Sequence, residues 1–349
     1  MSTTETKFWT IDPQHINDYD QQIHEAAECL KENQAVAFPT ETVYGLGANA
    51  LNDEAVQHIF AAKGRPADNP LIVHVADKMH IEDVVTHIPD IAHKLIDAFM
   101  PGPLTLILES NGACASNVTA GLSSVGVRIP DHPVARALLQ ACRLPLAAPS
   151  ANRSGRPSPT SADHVYKDLN GRVAGIVDGG QTGVGVESTV VDCTGDRPVI
   201  LRPGGITKED LESVVGPTDF DAALLNQKEK PKSPGMKYTH YAPEAPLWLV
   251  EGDLEFLQSQ IDQLRENDKR VGVIISEEHV DQIEADEVQV CGSREQLSEV
   301  AVHLYSALRA FSTDTIDVIL CESFPEYGMG YAVMNRLKKA STSVITQDK

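Results

Sequence analysis

The sequence predicts an α/β protein with an N-terminal twisted mixed sheet and helices, a long linker, and a smaller C-terminal Rossmann-like α/β domain. Three observations predict it. Short apolar runs alternate with helical patterns from Gln34 to Leu201. A stretch with five prolines and few periodic apolar positions follows, from Val215 to Pro246. A second strand-helix alternation then begins at PLWLVEG.

The first set runs QAVAFP, a helix from Asp53 to Lys63, LIVHVA, LTLIL, VGVRI, a helix near Pro133 to Cys142, AGIV, STVVD and PVILR. In STVVDCTGDRPVILR, Thr-Gly-Asp joins two runs as a hairpin would, so the sheet should be mixed rather than purely parallel. The second set runs PLWLVEG, a helix from Asp253 to Asn267, RVGVIIS, VQVC, a helix from Ser293 to Phe311, TIDVILCE and a helix near Met329 to Lys339. That order implies a small doubly wound domain, and the lack of GxGxxG at its first turn argues against dinucleotide binding.

The chain has 349 residues, 42% hydrophobic and 23% charged, which suits one ordinary domain with a smaller partner and disfavours disorder. Its 29 Lys and Arg against 50 Asp and Glu give a net charge of −21, the wrong balance for broad nucleic-acid wrapping. A brief RNA contact through a local patch stays open. The start, MSTTETKFWTIDPQH, does not read as a signal peptide. No apolar run approaches the roughly 18 residues of a membrane span, so a soluble, cytoplasmic protein without a membrane partner is expected. Six scattered cysteines without a CxxC pair fit buried free thiols.

Polar residues follow the apolar runs of the first domain, where open α/β sheets build ligand sites. In PTETVYGLGANA, Thr40 and Thr42 precede what reads as a glycine-containing turn, with Gly45 and Gly47 admitting a ligand or the threonines merely capping backbone. In KGRPADNPLIVHV, Lys63 and Arg65 suit a polyphosphate or complement a helix C-terminus. Asn69 lies in the turn, and His74 sits in an apolar strand where a satisfied core histidine is the default. Arg128, within VGVRIP, needs an anionic partner, either a structural carboxylate or that of a bound small molecule.

In LPLAAPSANRSGRPSPT, Ser150 and Asn152 would face one side of an extended segment, or the segment is a plain turn. Ser150 lacks GxSxG, so it does not read as a nucleophile. Ser188, Thr189 and Arg202 close the set, and a structural hairpin explains them equally well.

In this order PTETVYGL, KGRP with NPL and His74, PGPLT, VGVRIP, APSAN, and ESTVVD with LRPG resemble the threonylcarbamoyl-AMP synthase family in its longer two-domain form. The resemblance implies a YrdC-like catalytic domain at 19–206, a linker and active-site lid at 207–246, and the Rossmann-like domain at 247–349. It implies that L-threonine, bicarbonate and ATP with Mg²⁺ give L-threonylcarbamoyladenylate and diphosphate, for N6-threonylcarbamoyladenosine at position 37 of tRNA. Thr42, His74, Arg128, Ala148 and Ser188 would contact threonine. Arg65, Asn69, Ser124, Ser150, Ser158, Arg202 and Tyr241 would contact ATP, with Lys63, Arg65, Ser150 and Asn152 at the catalytic centre. No protein ligand for the metal is identifiable.

Other proteins of threonylcarbamoyl transfer are the implied partners, with room for a transient tRNA contact. Around Gly235, Lys237, Tyr238 and Tyr241 the linker could close over the nucleotide and exclude water. The competing readings are an RNA-binding module, opposed by the acidic composition, and a carbamoyl-transfer enzyme of similar fold, opposed by the lack of zinc-finger cysteines.

Overall fold

The computed structural model describes residues 5–225 and 240–347. They divide into two compact units, one of residues 5–154 and 158–225, the other of 155–157 and 240–347.

Strands of the first unit are β1 (Lys7–Thr10), β2 (Val36–Phe38), β3 (Gly45–Asn49), β4 (Ile72–His74), β5 (Leu104–Glu109), β6 (Ser124–Arg128), β7 (Leu146–Ala147), β8 (Gly175–Asp178), β9 (Thr189–Asp192), β10 (Val199–Arg202) and β11 (Asp219–Phe220). They form one sheet in the order β1-β8-β2-β3-β7-β4-β6-β5-β9-β10-β11. It is mixed: β4 runs parallel to β6, β7 antiparallel to β4, and the β9–β10 hairpin sets Val191 opposite Ile200. Its helices are α1 (Asp20–Lys31), α2 (Asp53–Lys63), α3 (Asp90–Phe99), α4 (Ser116–Thr119), α5 (Pro133–Cys142), α6 (Ala162–Leu169), α7 (Lys208–Val215) and α8 (Ala222–Leu225).

Local chemistry sets the helix that carries Lys63. Asn52 caps α2 by accepting from the Ala55 N–H at 2.9 Å, and Asp53 and Glu54 favour its positive end. Gly64, at φ +64°, ends it in the left-handed conformation that a side chain disfavours. For α5, His132 caps the start and Pro133 supplies a first-turn residue whose missing N–H costs nothing.

Two apolar cores cover opposite faces of the sheet. Ala37 belongs to the core around Val73, Leu106 and Val127, with Val56 and Ile59 of α2 and Leu95 of α3. Its strand neighbours Val36 and Phe38 point the other way, as a period of two requires, into a second core with Leu30 of α1 and Leu138 of α5. On that second face the register continues from Leu146 to His74 and from His74 to Arg128. His74 and Arg128 therefore sit beside the helix-covered part of the same face.

The second unit has β12 (Leu247–Glu251), β13 (Val271–Ile275), β14 (Glu287–Val290), β15 (Val318–Glu322) and β16 (Ser343–Thr346), in the order β14-β13-β15-β12-β16. Every pairing among them is parallel. The connecting helices are α9 (Leu254–Glu266), α10 (Leu297–Ala310) and α11 (Gly330–Ala340). Both β13 and β15 are buried throughout, as a sheet covered on two faces requires.

Three expectations need correction. The sheet begins before residue 19, because β1 pairs with β8 and buries Trp9. The 207–246 segment is not linker from its start: a Thr207–Asp210 capping box opens α7, Leu211 enters the core, and β11 pairs with β10. PTETVYGLGANA is not a turn throughout, since Gly45–Asn49 is β3, where a Cβ on Gly47 would come within 2.6 Å of the Phe38 ring. Gly235, Lys237 and Tyr238 of the expected lid lie outside the described residues.

All six cysteines are free; Cys114 is half-buried and the others are buried. Burial pushes the Cys142 thiol up to about 11 and that of Cys193 up to about 12, which suppresses the reactive thiolate. No helix of the described residues is long and apolar enough to cross a membrane.

Candidate functional site

The five polar clusters meet on the first unit. Thr42 lies in the loop joining β2 to β3, which is fixed by Val184 N–H on the Glu41 carbonyl at 2.8 Å and Gly185 N–H on the Thr42 carbonyl at 3.2 Å. Thr40 donates to the Val43 carbonyl at 2.7 Å, and its hydroxyl lies 2.8 Å from that of Thr42. Arg128, 3% exposed at the end of β6, donates to Thr42 Oγ1 at 3.1 Å and to the Glu41 carboxylate. Glu41 is thus an anionic partner for this buried arginine within the chain itself.

Beside Arg128 in register stands His74, buried, with Phe38 edge-on at 6.2 Å between ring centroids. Burial first, and the Arg128 charge second, push the imidazole down to about 3. It is therefore neutral at physiological pH and suited to hydrogen bonding rather than charge pairing.

Lys63 is buried, not displayed on a helix end. Its Nζ donates to the Ser150 carbonyl at 2.5 Å, the Asn152 carbonyl at 2.6 Å and Asn152 Oδ1 at 3.4 Å, and Ser150 Oγ donates to Asn152 Oδ1 at 2.6 Å. The segment is held to β3 by Leu46 N–H on the Pro149 carbonyl and Ala151 N–H on the Tyr44 carbonyl, both 2.8 Å. Ala148, buried, donates its N–H to the Ile72 carbonyl at 2.9 Å. Half-buried Arg65 donates to the Asn69 carbonyl at 3.4 Å, and Asn69 is itself buried.

Ser158 donates to buried Glu187 at 2.6 Å, next to Ser188. The Ser188 hydroxyl lies 2.8 Å from that of Thr105, and Arg202 donates to the Ser188 carbonyl at 2.9 and 3.2 Å. A Cβ on Gly204 would come within 2.5 Å of the backbone at 187–189, so the LRPG turn needs glycine there to press against Ser188. The residue carried over as a nucleotide contact, Arg202, thus touches one carried over for threonine.

One residue of the first unit stands apart. Ser124 opens β6, four residues and about 13 Å along the strand from Arg128. Because β4 and β6 are parallel, it lies toward the Asn69 end of that pair. Tyr241 falls in the second unit, stacked on Tyr305 with centroids 5.3 Å apart.

Sequence reasoning named neither Glu41 nor Glu187 as a site residue, although both stand inside quoted motifs. The available signal was a carboxylate set among hydroxyl residues in a chain whose strand arginine lacked an anion. The site residues include four cations, Lys63, Arg65, Arg128 and Arg202, on a protein that is acidic as a whole.

Residues 28–204 match a family model described as "Telomere recombination", and residues 206–342 one described as "Threonylcarbamoyl-AMP synthase, C-terminal domain". A threonylcarbamoyl-AMP synthase of Bacillus subtilis is 56% identical over 338 residues, 96% of this chain and 98% of that protein. The crystal structure of Pyrococcus abyssi Sua5 complexed with L-threonine superposes with a TM-score of 0.92 at 45% identity, covering 98% of this chain and all of the other. Escherichia coli YciO, at 23% identity, shares the fold with a TM-score of 0.51 over 57% of this chain and 96% of its own.

Proposed function

The chain belongs to the threonylcarbamoyl-AMP synthase family in its two-domain form, and from that premise we propose that it is a nucleotidyltransferase making L-threonylcarbamoyladenylate and diphosphate from L-threonine, bicarbonate and ATP. The observation that carries the reading is Arg128, a buried guanidinium bordered by the Thr42 hydroxyl and a neutral imidazole, on the unit that also gathers Lys63, Arg65 and Arg202. A small hydroxylated amino acid and a polyphosphate are the anions such a set complements. The P. abyssi relative complexed with L-threonine supports the first of these.

In this account Arg128 receives the threonine carboxylate, while Thr42 and Ser188 hydrogen-bond the substrate hydroxyl and His74 and Ala148 close the niche. A site built to bond a hydroxyl rejects analogues that lack it far better than an apolar site could. Arg65, Asn69, Ser124, Ser150, Ser158 and Arg202 hold the nucleotide. The carbamate oxygen of carboxylated threonine then attacks the α-phosphate in line, and diphosphate leaves. No side chain becomes covalently attached; the residues contribute alignment and stabilisation of phosphate charge.

Lys63 serves by fixing the 150–152 segment, whose Ser150 and Asn152 would otherwise lose their shared geometry. Mg²⁺ would arrive with the triphosphate, held mainly by the substrate rather than by side chains. Such an ion would neutralise phosphate charge. The product would supply tRNA N6-threonylcarbamoyladenosine synthesis through further transfer proteins in the cytoplasm.

Purified protein incubated with ATP, Mg²⁺, bicarbonate and threonine should release diphosphate only when both threonine and bicarbonate are present. Release indifferent to threonine would overturn the reading.

A further inference from the structure

Glu41 sits between Thr40 and Thr42 with its side chain 12% exposed, in a loop whose backbone is pinned by residues 184 and 185. One of its carboxylate oxygens accepts from Arg128. The other, Oε2, is buried without a hydrogen-bond partner, and so is Nε of Arg128. A purely structural buried ion pair normally satisfies its remaining lone pairs and N–H groups, because each orphan costs the full desolvation of a polar group. Here one pair keeps an unpartnered acceptor on its anion and an unpartnered donor on its cation.

The complement of such a pair is a zwitterion with both charges on neighbouring atoms. An α-amino acid has that form: its carboxylate can meet the guanidinium while its ammonium meets the carboxylate oxygen. Chemistry adds a second requirement, since an ammonium has no lone pair and must lose a proton before its nitrogen can form a bond to carbon. Protonating the His74 imidazole would place a second cation against Arg128, and Lys63 and Arg202 are cations already. Glu187 is engaged by Ser158. Glu41 is the anion at the arginine that anchors the substrate.

We propose that Glu41 is a catalytic residue for the reaction assigned above: its Oε2 receives the substrate ammonium and takes one of its protons. This rests on the threonine reading. The N–H electron pair stays on nitrogen and forms the bond to the bicarbonate carbon, from which water departs. Ammonium, bicarbonate and glutamate carboxylate thereby become carbamate, water and glutamic acid.

The test uses the full chain and two variants, Glu41→Gln and Glu41→Asp, with calorimetric binding of L-threonine, of 2,3-dihydroxybutanoate (threonine with a hydroxyl in place of its amine) and of ATP, alongside turnover. Glu41→Gln should weaken threonine about 10-fold or more, leave dihydroxybutanoate and ATP within about 2-fold, and lower kcat at saturating threonine about 100-fold. Glu41→Asp should recover part of both losses. The proposal is overturned if Glu41→Gln binds threonine normally, loses threonine and dihydroxybutanoate in parallel, or keeps its kcat. Failure of the wild-type protein to bind threonine would instead remove the parent reading, and this step with it.

Discussion

Each unit buries a glutamate against an arginine, and the two pairs end differently. In the second unit Glu322, at the end of β15, accepts from His279 at 2.8 Å, from Arg294 at 2.7 Å and from the Ser276 N–H. Arg294 also donates to the Ser323 carbonyl at 2.9 Å. In the first unit Glu41 accepts from Arg128 and keeps an unmatched oxygen. Both pairs stand at strand ends, where α/β sheets place ligands. The saturated pair acts as a brace, whereas the other leaves an acceptor and a donor unpartnered, which is what the proposed substrate contact uses. Satisfaction of hydrogen bonds, more than burial or charge, separates the two.

Substitutions can break that contrast. The largest effect is expected of Arg128→Ala, which should lower kcat/KM for threonine about 10³-fold, a loss of about 4 kcal/mol; steady-state diphosphate release would show it, with ATP binding retained. Lys63→Ala should cost about 10²-fold in kcat. Because it also strips the Ser150 and Asn152 carbonyls of a buried donor, it should lower stability by about 2 kcal/mol in urea melts. The three acceptors on Nζ account for that loss.

Glu322→Gln should reverse the pattern. It leaves three donors facing a neutral amide and should destabilise the protein by about 2 kcal/mol, discounted for the quarter exposure of Arg294, with threonine affinity unchanged. The last effect concerns pH. His74 and His132 are pushed below 6.5, to about 3 and about 4, chiefly by burial. Between those values and 6.5 the unfolded chain binds protons that the folded chain refuses, so stability is full above pH 6.5 and declines as pH falls toward 4. Each histidine contributes up to about 1.4 kcal/mol per pH unit in that window. His132→Asn keeps an acceptor for the Val134 N–H and should flatten the decline, measured by denaturation at pH 7 and pH 5.

Legibility followed the strength of local chemistry. The bounds of α2 and α5 could be read directly because Asn52, Pro133 and Gly64 are strong stop and start residues. Short strands could not: β7 has two residues, and β3 carries two glycines that read as a turn until Phe38 is seen packing over Gly47. In β1 only Trp9 is buried, so no alternating apolar pattern announces it. Motif order gave the site residues, but not that Lys63 is enclosed by carbonyls or that Arg128 already has an anion. Those facts depend on which distant segments the sheet register brings together, and local sequence carries no trace of it.

The central claim is that separate stretches of one unit converge on a single site for threonine beside ATP. A crystal structure with L-threonine and a non-hydrolysable ATP analogue tests it most directly. The account predicts the threonine carboxylate on Arg128, its nitrogen at Glu41, and the analogue's phosphates between Arg65 and Arg202. Threonine bound away from Arg128, or the two ligands on separate faces, would contradict it.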